Sequence, residues 1–315
     1  DPVVAFVEII NENGLFQAWF RGAIDKMPNI FKKVLQERWN QYLKERYKTT
    51  EELRSTWSAS QDGISLRNDE SLEDMSVRIF TKSEFAKRSY IAKRDWVDFL
   101  YALEEEYYED MYNYLKNVLG VKALIIGTTV GSCGLPSILS KLDVVDTHAY
   151  WKPGFHETGK RYVRNEPMVN HPLDGTIPKI AFRRIYGKPF TVSEYNHHAP
   201  NRYDAEAFIE LAVYAALQDW DAIFAFTYCN KADDWDARRI RGFLDIDQHP
   251  MKMATLIIAH TIFVRGDVEP AKELVAIRFT KEDEKFLILS GKVRAWSLPD
   301  GSYMGVPPEV TLIHK

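Results

Sequence analysis

The sequence predicts an α/β protein organised around a parallel sheet or barrel, and three features carry that expectation. Apolar runs rich in β-branched and aromatic residues alternate with helix-like runs across residues 121–264. That βαβα rhythm is the one left by parallel strands joined through helical crossovers. The strand-like runs are apolar on both faces, as strands covered on both sides must be. Polar and acidic residues gather where two runs end, in INENG (10–14) and SEYNHH (193–198). Parallel barrels collect their functional groups at that C-terminal rim.

Taken in order, VVAFVEIINENG (3–14) reads as a strand directly after Asp1-Pro2. A parallel strand needs neighbours on both sides, so the chain is expected to begin inside a domain. It is then either a fragment or a chain whose missing strands lie on another polypeptide. PNIFKKVLQERWNQYLKERY (28–47) places Ile30, Phe31, Val34, Leu35, Trp39, Tyr42 and Leu43 near helical spacing. Thr49-Thr50-Glu51-Glu52 reads as the capped start of a helix ending near Trp57. Residues 58–82 are polar and rich in Ser and Asp, which predicts a surface excursion. An amphipathic helix is expected over 95–120, with Gly120 at its C-cap. Strands follow at 121–130, 143–151, 189–196 and 221–228, with core-type helices at 205–220 and 253–264. Beyond Arg265-Gly266-Asp267, the runs AIRFT, KFLILSG and KVRAWSL read as short antiparallel strands. The expected organisation is a barrel over 1–268, with a helical insertion at about 15–120, and a small β-rich accessory region over 269–315.

Composition narrows the function classes. The 315 residues carry a net charge of −4 with a pI near 6.1, and no clustered basic excess points to nucleic acid. No apolar run reaches the roughly 18–20 residues of a membrane span. No basic start followed by an apolar core marks a secretory signal. Cys133 and Cys229 are too few for a disulfide framework and lack metal-ligand spacing. Compartment stays open, since export and a cytoplasmic location both fit. Aromatic residues make up 13% of the chain, a share that suits a core and also suits platforms for sugar rings.

The chemistry-bearing residues sit at strand exits. Glu12 lies between Asn11 and Asn13-Gly14, and Glu194 follows Phe190-Thr191-Val192. Two acids delivered by different strands to one mouth are what cleavage of a glycosidic bond needs: a proton donor and a nucleophile or base. Taken alone, Glu12 reads equally well as a cap for the following helix; Glu194 has a surface-loop alternative, but the polar and aromatic residues crowded around it favour the functional reading. Glu8 shares the face of Glu12 by period-two alternation and reads as a paired carboxylate inside the barrel. Asp146, His148 and Tyr150 alternate along one strand and share one face, with Trp151 expected at the rim. Tyr228, Asn230 and Trp235 follow the last strand, where an aromatic floor for a sugar would sit, although core packing suits Tyr228 equally well and Trp235, amid Asp233, Asp234 and Asp236, less so. Adjacent His197 and His198 point oppositely on an extended segment, so no metal site is expected, and no organic cofactor.

EIINENG and VSEYNHH resemble the two catalytic strand ends of the large clan of retaining glycoside hydrolases built on the (β/α)8 TIM barrel. DTHAYW (146–151) is similar to that clan's His-x-Tyr segment on strand six. The resemblance covers roughly residues 1–265 and implies that 3–12 is strand four, with strands one to three outside this chain. It also implies roles. Asn11 would bind a sugar 2-hydroxyl, Glu12 would be the acid/base and Glu194 the nucleophile. His148 and Tyr150 would line the subsite, with Tyr150 near Glu194; Trp151, Tyr228 and Trp235 are substrate-binding candidates from their positions at strand ends alone. The expected partner is a carbohydrate, with neither nucleic acid nor membrane, and a second chain or another copy could supply the missing strands. A barrel that binds saccharide without cleaving it and one subunit of a split glycosidase are the alternative readings.

Overall fold

The computed structural model describes residues 2–152, 155–230, 232–234 and 236–315. Strands β1 (Phe6–Glu8), β2 (Leu124–Thr129), β3 (Val144–Trp151), β6 (Phe190–His197) and β7 (Ala222–Ala225) form one parallel sheet. Their spatial order is β1-β2-β3-β6-β7. A short antiparallel hairpin, β4 (Phe155–Glu157) and β5 (Lys160–Tyr162), interrupts the β3–β6 connection. Strand order follows chain order without reversal. The sheet therefore lacks the switch point of a doubly wound fold and instead grows in one direction, as a barrel wall does. Among the described residues β1 and β7 each have one partner, so the sheet is open and compatible with part of a TIM barrel.

The helical insertion stands between β1 and β2. It comprises α1 (Leu15–Phe20), α2 (Asn29–Tyr47), α3 (Thr50–Ser58), α4 (Lys82–Lys87) and α5 (Tyr90–Asn113). Thr49 caps α3 by accepting the Glu52 N–H, as the sequence predicts. Helix α5 runs on through a wider turn at 114–118, and Gly120 takes φ +66° at its exit. This subdomain has an aromatic core. Trp39 meets Trp96 at 5.1 Å and Phe80 at 5.6 Å between ring centroids.

Residues 58–82 meet the expectation only in part. Leu66, Leu72, Val77 and Phe80 are buried, and the Arg88 guanidinium is wholly covered while it holds Glu70 and Glu84. Gln61, Asp62, Asn68 and Asp69 are exposed as the composition predicts, while Glu70 is an internal partner.

The remaining crossovers are α6 (Pro136–Leu139), α7 (Thr176–Ala181) and α8 (Ala207–Leu217), followed by α9 (Pro250–Arg265), which packs on α8. The expected β-rich region over 269–315 is not what forms. Residues 281–289 are helix α10 (Lys281–Leu289), and Val310–Ile313 form α11. The apolar FLIL run invites a strand reading, but Thr280 and Asp283 make a capping box and three acids occupy the first turn. Leu287 and Ile288 are buried while Phe286 faces solvent, which is the partition expected of a helix. The KVRAWSL run carries one isolated bridge, Arg294 to Ser297.

Candidate active site

The site forms at the C-terminal ends of β1, β3 and β6. The ladder of β1 continues past Glu8, because the Ile9 and Ile10 N–H groups reach the Ile126 and Gly127 carbonyls at 2.9 and 3.1 Å. The chain then turns sharply at Glu12, whose φ of 44° lies in the left-handed region. Such a conformation costs a non-glycine residue about 1–3 kcal/mol and persists where the surroundings over-determine it. The surroundings do so here. Asn13 N–H donates to Thr128 Oγ1 at 3.3 Å, and the Gly14 N–H donates to Asn13 Oδ1 at 3.0 Å. A Cβ at Gly14 would stand 2.1 Å from the Cys133 carbonyl, so only glycine lets the loop lie against that backbone. Behind it, the covered carboxyl of Glu104 accepts the Phe16 N–H at 3.4 Å. Burial pushes that carboxyl up to about 8.

His148 is the hub. Its Nδ1 lies 2.7 Å from Glu12 Oε1 and 3.4 Å from Glu194 Oε2, and its Nε2 lies 2.9 Å from Ser193 Oγ. Glu12, His148 and Glu194 each offer one atom in a group whose members lie within 4.8 Å of one another, and Glu8, Asp146 and His148 do likewise. Burial alone pushes the imidazole down. The hydrogen bond to Glu12 and the charges of Glu194, Asp146 and Glu12 outweigh it, leaving His148 above its ordinary value. Glu8 faces solvent on one side. Desolvation on the other, reinforced by Asp146, Glu194 and Glu12 against the opposing His148, raises its carboxyl to about 7.

The Tyr150 hydroxyl donates to Glu194 Oε2, and its ring packs edge-on to His198 and Phe226 at 5.7 and 6.3 Å. Burial and the Glu194 carboxylate together hold the phenol well above its ordinary range. Either triad around His148 has the donor set for a cation, but a cation would have to displace a hydrogen bond already made by the ring.

The sequence-predicted residues thus separate. Glu12, Glu194, His148 and Tyr150 come together, and Asn11 is exposed one residue before Glu12. Tyr228 is exposed beyond β7. Trp235 lies outside the described residues. Trp151, expected at the rim, is 4% exposed and donates its indole N–H to the Glu166 carbonyl at 2.9 Å. Alternation explains it, since Ala149 and Trp151 take the face opposite to His148 and Tyr150.

Two contributors were not singled out from the sequence. Ser193 joins the cluster although its neighbour Glu194 does too, because the register shifts between Thr147 and His148 and again between Val192 and Tyr195. Arg183, just past α7, donates to Thr147 Oγ1 at 2.9 Å and to the His148 carbonyl at 3.2 Å. No local signal marks it.

No family model and no curated protein matches this chain. Two solved structures are similar to it. One is described as PfGH50B, with 15% identity and a TM-score of 0.46 over 73% of this chain and 32% of that one. The other is an exo-beta-agarase, with 13% identity and a TM-score of 0.45 over 72% of this chain and 30% of that one. The chain thus spans about a third of the length of the structures it matches.

Proposed function

We propose that this chain is a glycosidase that cleaves β-linked glycosides or polysaccharides by double displacement. The observation that carries the reading is the approach of Glu12, in the turn after β1, and Glu194, on β6, to within 4.8 Å between carboxylate oxygens. Retaining glycosidases hold their two carboxyl groups about 5–5.5 Å apart, whereas inverting ones keep about 6.5–9.5 Å for an intervening water.

In this reading Glu12 protonates the leaving oxygen as Glu194 attacks the anomeric carbon. Glu12 then takes a proton from the water that releases the sugar. The Tyr150 hydroxyl holds Glu194 Oε2, which leaves the second carboxylate oxygen for the attack. The test is Glu194→Ala assayed on chromogenic aryl β-glycosides and on plant and algal polysaccharides. Turnover is expected to vanish and to return with azide as an external nucleophile. Undiminished activity in the variant removes Glu194 from the role.

The open edges at β1 and β7 favour a companion reading in which a second chain or copy supplies closing strands. Native mass spectrometry and activity assay of this 315-residue chain expressed alone separate the two. A fully active species at 36.5 kDa excludes the companion.

A further inference from the structure

We propose that Asp146 and Ser193 form a positioning relay that fixes His148 as a donor at both ring nitrogens, so that one N–H serves Glu12 and Glu194 in turn. The inference rests on the glycosidase reading for its role in turnover and on the hydrogen bonds around the ring for its existence.

Those bonds start at Asp146, which is 1% exposed. Three donors converge on it. The Thr191 hydroxyl and the Ser193 N–H, the latter at 3.1 Å, reach Oδ1, while the Ser193 hydroxyl reaches Oδ2 at 2.6 Å. Burial leaves the carboxyl above its ordinary value, with those donors and the His148 charge limiting the rise. A carboxylate that accepts three donors is ionised and has no proton to give. The single Ser193 proton is therefore committed to Asp146. Ser193 Oγ can then only accept from His148 Nε2, 2.9 Å away, so Nε2 carries hydrogen. On the other side of the ring, Nδ1 faces two carboxyl groups at 2.7 and 3.4 Å. A proton on Nδ1 makes it a donor to both.

The chemistry gives that shared donor a purpose. Before attack the negative charge resides on Glu194, and Glu12 holds a proton. In the first step the Glu194 oxygen forms its bond to the anomeric carbon and the glycosidic C–O bond breaks. The Glu12 proton leaves with the departing oxygen. Glu194 is then a neutral ester and Glu12 is the carboxylate, so the charge has crossed the site. His148 Nδ1–H lies between the two positions and can follow the charge without moving its ring, because Ser193 holds the opposite edge. His148 touches no reacting atom in this scheme and is a positioning residue. The charged and titratable groups facing it are Glu8 and Glu12 from β1 and its loop, Asp146 and Tyr150 from its own strand, and Glu194 from β6. Arg183 faces its carbonyl and itself approaches Asp300 at 3.4 Å. The raised proton affinity of the imidazole agrees with this setting.

The experiment uses the whole chain labelled with 15N-histidine, the His148 resonances being assigned by their loss in His148→Gln. In the unaltered protein, the Nε2 shift should report a protonated nitrogen at every pH from 5 to 8. In Ser193→Ala the ring's proton affinity should fall at least tenfold, and Ser193→Thr should restore it. Asp146→Asn, which keeps the volume, should weaken the ring's affinity as Ser193→Ala does, and covers a Ser193→Ala that fails to fold. An unprotonated Nε2 in the unaltered protein, or a titration that none of these variants moves, overturns the relay. On an aryl β-glycoside Ser193→Ala should lower kcat about tenfold and leave KM in place, with recovery in Ser193→Thr. A relay seen by resonance in a protein that turns over no glycoside would refute the glycosidase reading and leave the relay standing. Normal turnover with an unmoved His148 titration would do the reverse.

Discussion

Glu104 offers a test of how the loop behind Glu12 is held, and its size can be worked from the structure. The side chain is 2% exposed, its Oε2 accepts the Phe16 N–H, and its Oε1 has no hydrogen-bond partner among the described residues. Burial moves the carboxyl from 4.5 to about 8. Between those two values the native state holds a proton that the unfolded chain has lost, so unfolding releases a proton and stability falls as pH rises. Every tenfold difference in proton affinity between the two states is worth about 1.36 kcal/mol. The loss from this one group is thus under about 1 kcal/mol at pH 5 and about 4 kcal/mol at pH 8, above which it levels off.

Glu104→Gln keeps the acceptor for Phe16 and cannot ionise. Its amide N–H2 replaces the unpartnered oxygen, a pH-independent cost of about 1–3 kcal/mol for buried donors. The variant should therefore match or trail the unaltered protein at pH 5 and gain about 3–4 kcal/mol on it by pH 8. Urea unfolding at four pH values reads this directly. Glu8 and Glu210, each raised to about 7, slope both proteins alike and cancel in the difference, while Glu284, whose charge acts on Glu104, adds a smaller coupled contribution. A stability gap that stays constant from pH 5 to 8 would refute this account, because it would mean that Glu104 is ionised in the native state.

Two further outcomes follow from single contacts. Tyr150→Phe preserves the ring packing against His198 and Phe226 and deletes the donor to Glu194. A hydrogen bond to a charged group is worth about 1.5–3 kcal/mol, so kcat/KM on an aryl β-glycoside should drop roughly ten- to hundredfold; a drop under twofold would detach Tyr150 from the chemistry. Arg88→Met strips the covered Glu70 carboxylate of its buried ion-pair partner and leaves it only the more exposed Arg78 at 3.4 Å; breaking a buried pair typically costs about 3–5 kcal/mol, and the remaining arginine puts the expected loss at the lower end. Thermal or urea unfolding should register that loss, and a cost below about 1 kcal/mol would mean that Arg78 and the backbone donors suffice to hold Glu70.

Much of the scaffold was legible in the sequence because local rules decide it. The helix over 29–47, the Thr49 cap, the Gly120 exit and the strands at 124–129, 144–151, 190–197 and 222–225 follow from hydrophobic period, side-chain capping and glycine geometry. Glu12 and Glu194 stood out because each closes a β-forming run, and the pairing of His148 with Tyr150 needed only period-two alternation. Where two local signals competed, the reading failed. The FLIL run looked like strand while the Thr280–Asp283 box made it helix. The polar residues of 58–82 looked like solvated surface, which holds for Gln61, Asp62, Asn68 and Asp69, while Arg88 drew Glu70 inside.

Tertiary structure decided what spacing could not. Trp151 went under cover because β3 is walled on both faces, so the residue after an inward Tyr150 is buried rather than exposed. Ser193 and Glu194 serve one histidine because shifts in register on either side of β6 break the alternation that would separate neighbours. Arg183 reached the His148 carbonyl from a helix end thirty-five residues away in the chain. Such juxtapositions depend on strand register and on how helices seat against the sheet. Those are set by summed packing across the whole core, which no window of sequence contains.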